Sequence, residues 1–156
     1  MVKTIIVPHD GNTMSDAALK FALDIAKSMK MRIVLVRIIP EILDFSTLSF
    51  WTRVERKRVR KEINLMKKNA QGLEYEKLKK QMSLIAARGL DGSAFVTEGT
   101  DVAEKLVEHI EKEKPALVVI GSKRLKQRGR LSKIRFLGSV ARKVSEQSPV
   151  PILIFK

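Results

Sequence analysis

The chain has 156 residues and a formal net charge of +14, with 44% hydrophobic and 31% charged residues. This composition is typical of one soluble globular domain over residues 1–156, long enough to bury a core. Cysteine is absent, so disulfides, thiolate metal sites and cysteine nucleophiles are excluded. The positive charge attracts polyanions whatever the fold, although a solvated basic face is the simpler interpretation.

No apolar run approaches the roughly 20 residues of a membrane span. The first ten residues, "MVKTIIVPHD", lack the longer apolar stretch and the cleavage site of a signal peptide. We therefore expect a cytoplasmic protein with no membrane partner.

The N-terminal part of the chain alternates strand and helix patterns. Residues 3–8 form a short apolar strand ended by Pro8, and residues 31–39 form a second strand stopped by Pro40. Between them, apolar residues recur at helical spacing. That helix follows three candidate caps, Asn12, Thr13 and Ser15. Residues 41–50 are predicted to form a loop with apolar anchors.

Helical spacing returns over residues 51–88 and is predicted to place a long apolar stripe on the core. Gly72 interrupts this run and is predicted to split or bend it. The methionines on the apolar stripes are interpreted as core fillers: Met29, Met66 and Met82. Residues 53–61, "RVERKRVRK", read as the polar side of the same helix.

The C-terminal part repeats the alternation. Strands are predicted over 93–98, 116–121 and 151–155, and helices over 101–111 and 139–147. The whole pattern predicts a parallel sheet with helices on both faces. The last strand follows the last helix and is predicted to be a sheet edge.

In open parallel sheets, ligands bind beyond the carboxyl ends of the strands, where the winding direction reverses. The first strand runs into "PHDGN", residues 8–12, and the fourth into Gly121 and Ser122. Asp10 is an acceptor for ribose hydroxyls or for donor groups on a base. The alternative is a turn residue before Gly11, and the sequence leaves both open.

The last predicted helix begins at Gly138-Ser139-Val140. Unpaired backbone N–H groups and the positive end of the helix dipole gather at such a start, which favours an anion. Ser139 adds a hydroxyl donor, and Gly138 lets a ligand approach the backbone. An ordinary serine cap is the alternative.

The arrangement of four segments resembles the universal stress protein family: "VPHDG", "VVIGS", "FLGSVARKV" and "SPVPILIF". The resemblance covers essentially the whole chain. It implies a single open five-stranded parallel sheet in the order 3-2-1-4-5, with helices on both faces and Rossmann-like winding. It also implies that Asp10 and Gly121 face a common crevice.

One branch of that family binds ATP or AMP through a Gly-x-x-Gly-(nine residues)-Gly-Ser/Thr motif. The resemblance implies that Gly121 is the first glycine and that Gly138 and Ser139 close the motif. It also implies a nucleotide-binding role for Asp10 near the ribose. Further contacts are implied from Pro8 beside Asp10, the Ile38 backbone at adenine, Ser122 after the strand, and the Val140 N–H near the phosphates.

The middle of the motif departs from the family pattern. Arg124 stands where the second glycine belongs, and sixteen residues instead of twelve separate Gly121 from Gly138. We hypothesise a remodelled phosphate site in which side-chain cations replace missing N–H groups, with a basic loop closing over the phosphates. Arg124 and Lys126 are therefore included among the predicted site residues. A mobile, solvated loop is the alternative.

These features predict a stress-response sensor or regulator that binds ATP or AMP, with Mg²⁺ only as a companion of the phosphates. No catalytic or metal-binding residues are predicted, and His9 beside the crevice lacks an obvious partner for activation. Slow ATP hydrolysis stays open. The terminal strand, residues 150–155, is predicted to form a homodimer.

Two other classes of function are retained. One is a nucleotide-free dimeric scaffold with a degenerate ATP motif. The other is a polyanion or nucleic-acid binder that uses the basic surface around residues 53–61, with Phe50 and Trp51 beside it. Both aromatic residues are alternatively predicted to cap the core.

Overall fold

The computed structural model describes residues 2–122 and 137–156. These residues contain five strands: β1 (Thr4–Pro8), β2 (Arg32–Pro40), β3 (Gly92–Gly99), β4 (Leu117–Gly121) and β5 (Ile152–Phe155). They also contain four α-helices: α1 (Thr13–Met29), α2 (Arg53–Ala87), α3 (Val102–Glu113) and α4 (Ser139–Gln147). A 3₁₀ turn, Phe45–Thr47, lies between β2 and α2.

All five strands are parallel and lie in the order β3-β2-β1-β4-β5, as predicted. The central strand β1 pairs with β2 on one side and β4 on the other, so Ile5 lies between Ile33 and Leu117. The winding direction therefore reverses between β1 and β4. Their carboxyl ends lead directly to residues 9–12 and to Ser122.

Two hydrophobic clusters lie on opposite faces of the sheet, because successive strand residues point to opposite sides. In β1, Ile5 and Val7 pack with α1 and α2, whereas Ile6 packs with α3 and α4. All three are buried. The helices thus cover both faces, as the near-continuous apolar strands predict.

Capping residues explain where the helices begin. Asn12 Oδ1 accepts hydrogen bonds from the N–H groups of Met14 at 2.8 Å and Ser15 at 2.9 Å, so α1 begins at Thr13. Thr52 and Glu55 form a reciprocal capping box at the start of α2. Asp101 caps α3 in the same way as Asn12 caps α1.

The prediction that Gly72 splits or bends the second helix is wrong, because α2 is one helix of 35 residues. A single glycine costs only about 1 kcal/mol in a helix, which cross-links to the sheet can offset. One such cross-link joins Arg37 of β2 to Glu74, at 2.9 Å. A second joins Glu98 of β3 to Lys67, at 3.2 Å.

The predicted core stripe of α2 is only partly correct. Ile63, Leu78 and Ile85 are buried, whereas Met66 and Leu73 are 58% and 65% exposed. The apolar repeat wraps around the helix, and of its buried residues only Leu78 and Ile85 join the core cluster on this face of the sheet. Elsewhere, Met29 is also exposed and only Met82 packs against the core, so the core-filler interpretation fails for two of the three methionines.

The segment before α2 also differs from its prediction. Leu43, Phe45 and Leu48 are exposed instead of anchoring the loop to the core. Phe50 is 70% exposed and does not cap the core. The sequence predicted a basic surface around residues 53–61 with Phe50 and Trp51 beside it, but not the exposed apolar side chains that precede it.

Candidate functional site

A cleft with a volume of about 270 Å³ opens at the carboxyl ends of β1 and β4. Eight of the ten predicted site residues line it: Pro8, Asp10, Ile38, Gly121, Ser122, Gly138, Ser139 and Val140. The other two, Arg124 and Lys126, lie outside the described residues. The cleft therefore brings together four segments that are far apart in the chain and meet near the reversal of the sheet.

Asp10 lies in the turn between β1 and α1. Its Oδ1 accepts hydrogen bonds from the Asn12 N–H at 3.1 Å and the Ser15 hydroxyl at 3.0 Å, and its Oδ2 accepts from Asn12 Nδ2 at 2.6 Å. The carboxylate is exposed at the cleft wall, and these bonds fix its direction. Each carboxylate oxygen has two lone pairs, so Asp10 has the capacity to accept a ligand hydroxyl as well.

His9 is the buried support of this turn, with only 2% of its surface exposed. The Gly11 N–H donates to His9 Nδ1 at 3.3 Å, which leaves Nε2 as the ring nitrogen that donates to Asp16 Oδ1 at 3.0 Å. Its backbone N–H donates to Val36 O of β2 at 2.9 Å. His9 therefore ties the turn to both α1 and β2.

The carboxyl group of Asp16 receives two hydrogen bonds. Partial burial alone would raise its pKa, but hydrogen bonds from Gln81 of α2 and from His9 lower the pKa below its ordinary value. The charged carboxylate is thus the form that these partners stabilise. Sequence reasoning missed this pair, because residues 9 and 16 show no recognisable motif; only the helical phase of α1 after the Asn12 cap indicates that Asp16 faces back toward β1.

Gly121 has a packing role that the sequence did not reveal. A β-carbon at this position would lie 2.5 Å from the carbonyl oxygen of Met14 and 2.9 Å from the N atom of Ser15. Real β-carbons do not approach backbone atoms this closely. The last residue of β4 therefore has to be glycine to pass the first turn of α1, whether or not a ligand is present.

Ser122 connects the end of β4 to the start of α4. It is buried, its N–H donates to Phe155 O of β5 at 2.8 Å, and its hydroxyl accepts from the Gly138 N–H at 2.9 Å. The Gly138 N–H is thus already engaged by the protein. Any contribution from Gly138 to ligand binding would come from its small size.

The first turn of α4 is the polar end of the cleft. Gly138 is the N-cap and supplies no side-chain hydrogen bond to the turn. The N–H groups of Ser139 and Val140, which line the cleft, precede the first turn of intrahelical bonding. They and the positive end of the helix dipole form a site suited to an anion.

The remaining wall is largely apolar. It is formed by residues of β2, β4, α3 and α4: Val36, Ile38, Val102, Leu106, Ile120 and Ala141. Of these, only Ile38 was predicted as a site residue; the other five were predicted only to lie within strands or helices. The cleft is complementary to a ligand that has a flat ring, hydroxyl groups and an anionic group. The apolar wall suits the ring, the Asp10 carboxylate suits the hydroxyls, and the start of α4 suits the anion.

Two observations bear on metal and histidine chemistry in the part of the chain that the structure describes. It contains no cluster of three or more histidine, cysteine or acidic side chains that could hold a metal ion. The second histidine, His109 on α3, stacks on Phe95 with ring centroids 4.6 Å apart. Burial lowers its pKa, and it does not line the cleft.

With this geometry, the chain belongs to the universal stress protein family, whose model matches residues 1–156. A protein similar to it is the universal stress protein MJ0531 of Methanocaldococcus jannaschii, 28% identical over 160 residues that cover 100% of this chain and 83% of the relative. The solved structure of the protein MJ0577 has a TM-score of 0.70 and 23% identity, covering 100% and 96% of the two chains.

Solved structures with bound nucleotides share the same fold. A universal stress protein in complex with cAMP has a TM-score of 0.65 and 21% identity, covering 99% of this chain and 97% of that one. A universal stress protein from Archaeoglobus fulgidus in complex with dAMP has a TM-score of 0.62 and 18% identity, covering 100% and 98%. At these identities the matches establish a common fold.

Proposed function

We propose that the cleft binds an adenine nucleotide, ATP or AMP, and that the protein acts as a stress-response sensor or regulator rather than as an enzyme. One observation carries the proposal: the Asp10 turn, the end of β4 and the start of α4 converge on one cleft. Similar folds that bind cAMP and dAMP support it.

Each part of the cleft has a role in this proposal. The Asp10 carboxylate accepts hydrogen bonds from the ribose, with Pro8 packed beside it. The backbone of Ile38 meets the adenine ring, and the N–H groups of Ser139 and Val140 hold a phosphate. Gly121 and Ser122 shape the site by bringing β4 close to α1 and by positioning Gly138.

Arg124 and Lys126 enter the proposal through their charge alone. Both would add cations for the phosphates that one helix start cannot neutralise, and Mg²⁺ would enter only with ATP. Replacing both by glutamine should weaken ATP binding by roughly tenfold or more while leaving adenosine unchanged, because adenosine has no phosphate. Equal losses for the two ligands would exclude this role.

The direct test is to denature freshly purified protein and to identify any released nucleotide by mass spectrometry. Calorimetric titration of the nucleotide-free protein with ATP, AMP and adenosine then orders the affinities. We expect AMP and ATP to bind more tightly than adenosine. If none of the three binds, the proposal fails and the nucleotide-free scaffold remains.

We also propose that the protein forms a homodimer through residues 150–155. The supporting observation is that β5 pairs with β4 on one side and lies at an edge of the sheet, with its four side chains all partly exposed. An unpaired edge can pair with its twin across a two-fold axis. Light scattering at micromolar concentration should give twice the mass of the chain; a monomer mass would contradict it.

A further inference from the structure

The segment that joins β2 to α2, together with the first turn of α2, exposes several large apolar side chains. Five of them are at least two-fifths exposed: Leu43, Phe45, Leu48, Phe50 and Val54. Single exposed apolar residues are normal, but five within residues 43–54, with a run of cations over residues 53–61, indicate an interaction surface. We call residues 43–61 the 43–61 surface.

Cations lie directly beside these apolar residues. The first turns of α2 carry six of them, against two carboxylates on the 43–61 surface, Asp44 and Glu55. The six are Arg53, Arg56, Lys57, Arg58, Arg60 and Lys61. Glu55 is occupied in the capping box with Thr52, and Asp44 accepts a hydrogen bond from the Ser46 N–H at 2.9 Å. The surface is therefore strongly basic.

Hydrogen bonds join the apolar and basic parts into one structural unit. The Trp51 indole N–H donates to Phe45 O at 2.8 Å, and its ring lies 4.8 Å from the ring of Phe50. Arg60 Nε donates to the hydroxyl of Ser46 at 3.3 Å, which ties α2 back to the 3₁₀ turn. The apolar side chains are thus presented from a defined platform, and their exposure does not come from a loose loop.

We propose that the 43–61 surface binds the surface of a bilayer that contains anionic lipid. Apolar side chains beside a cluster of lysine and arginine are the combination that peripheral segments use to lie in the headgroup region. A tryptophan with one polar and one apolar side suits that interface. The expectation of no membrane partner was based on the absence of a spanning segment and of a signal peptide. Within residues 2–122 and 137–156, no helix is long and apolar enough to span a bilayer. Surface binding does not need one.

Two other occupants fit this surface less well. Nucleic-acid binding relies on flat aromatic faces along a cationic groove, but Leu43, Leu48 and Val54 have no such face and the Phe50 and Trp51 rings are tilted by 45°. In a two-fold contact with a second copy of the chain, the six cations of one 43–61 surface would face the six cations of the other and repel them. An anionic bilayer complements both the charge and the apolar group.

The chain contains one tryptophan, and it lies on the 43–61 surface, so its fluorescence reports on this surface alone. The full-length protein is mixed with phosphatidylcholine vesicles or with vesicles that contain about one-third phosphatidylserine. We expect the emission of Trp51 to shift to the blue, and lipids with brominated chains to quench it, only with the anionic vesicles. No shift, or the same shift with both vesicles, would overturn the proposal.

Two variants separate the contributions, with affinity measured by vesicle co-sedimentation. The charge variant changes Arg53, Lys57 and Lys61 to glutamine, and binding should weaken roughly a hundredfold, since each cation near an anionic bilayer contributes a factor of about five. Its control changes three exposed lysines of α1 and α3, Lys20, Lys27 and Lys112, to glutamine. This control has the same net charge, so an equal loss would exclude a specific surface.

The apolar variant changes Phe50 and Val54 to serine and should bind about tenfold more weakly or worse. Its control changes Met66 and Leu73, exposed on α2 but outside the 43–61 surface, to serine and should bind as the parent does. Circular dichroism should show that the apolar variant and its control both fold as the parent does. Two outcomes would overturn the proposal. If the protein binds a single-stranded oligonucleotide but not vesicles, the partner is a nucleic acid. If the protein self-associates and the Phe50 and Val54 changes abolish this, the partner is a second copy of the chain.

Discussion

Gly121 lies where the backbones of β4 and α1 come closest. We expect Gly121→Ala to lower the free energy of unfolding by about 1–3 kcal/mol, because the new β-carbon would meet the Met14 carbonyl oxygen, a backbone atom that cannot move without shifting α1. Urea unfolding measures this. Since the strain needs no ligand, the loss should be present in the nucleotide-free protein.

Gly72 provides the matched control. It lies within α2, and a β-carbon there would meet nothing within 4 Å. Gly72→Ala should raise stability by up to about 1 kcal/mol, because alanine favours the helix more than glycine does. Opposite signs for the two glycines would support the packing role of Gly121. If Gly121→Ala is as stable as the parent, then a β-carbon at residue 121 does not meet the Met14 carbonyl oxygen and the proposed packing role of Gly121 is wrong.

Asp10→Ala tests the proposed ribose contact. We expect the affinities for ATP and adenosine to fall together, by about 1–3 kcal/mol, because both ligands have the ribose. Asp10→Asn keeps an acceptor for the turn and should lose less. Calorimetry measures both variants. Unchanged affinities would contradict the proposed role of Asp10, and a loss for ATP alone would indicate a contact with phosphate instead.

Helices α3 and α4 are joined by Lys143, whose amine lies 2.6 Å from the Asp101 carboxylate. The pKa of Asp101 is lowered from 3.8, first by this hydrogen bond and then by the Glu104 N–H. A carboxyl whose folded pKa is lowered stabilises the protein above its ordinary pKa, and this contribution disappears as pH falls through the folded value. The link should therefore operate at neutral pH and be absent in acid.

Asp101→Asn keeps a capping side chain but removes the charge, whereas Asp101→Ala removes both. At pH 7 we expect stability to decrease from the parent to the asparagine variant and further to the alanine variant. As pH falls through the lowered folded pKa of Asp101, the parent and Asp101→Asn should converge. Urea unfolding at several pH values measures this. A constant difference between the two across that range would show that the Lys143 link does not contribute.

Strand β5 has one paired and one free edge, and its backbone direction predicts which residues matter for assembly. Pro151 O accepts a hydrogen bond from Val118 of β4, and Phe155 O accepts one from Ser122 just after β4. Odd-numbered residues therefore direct their backbone groups toward β4, and Ile152 and Ile154 direct theirs outward. Ile154→Pro should therefore abolish the proposed dimer while the chain stays folded. Leu153→Pro should instead unfold β5.

Light scattering and circular dichroism together decide the outcome for these variants. Ile154→Val is the control and should remain dimeric. A folded Ile154→Pro variant with the mass of a dimer would place the interface elsewhere. If the parent is itself monomeric at micromolar concentration, the proposal of pairing through β5 fails.

The sequence predicts most of the architecture, because local signals agree with the global fold. Proline and glycine bound the strands, and Asn12, one of the three candidate caps, caps α1. Contacts between residues that are far apart in the chain are harder to predict from the sequence. The partner of His9 and the reason for Gly121 depend on how closely α1 passes β1 and β4. The exposure of Met66 similarly depends on how much of α2 reaches the sheet.

The hydrogen bond between Ser122 and Gly138 ties the two ends of a long connection together. Loop-closure entropy grows only with the logarithm of length, so sixteen intervening residues instead of twelve cost about 0.3 kcal/mol more. The two halves of the cleft are therefore held in place almost independently of what connects them. During evolution, insertions and substitutions in this connection therefore cost little stability. The ligand preference of the cleft can change while the sheet and the start of α4 keep their positions.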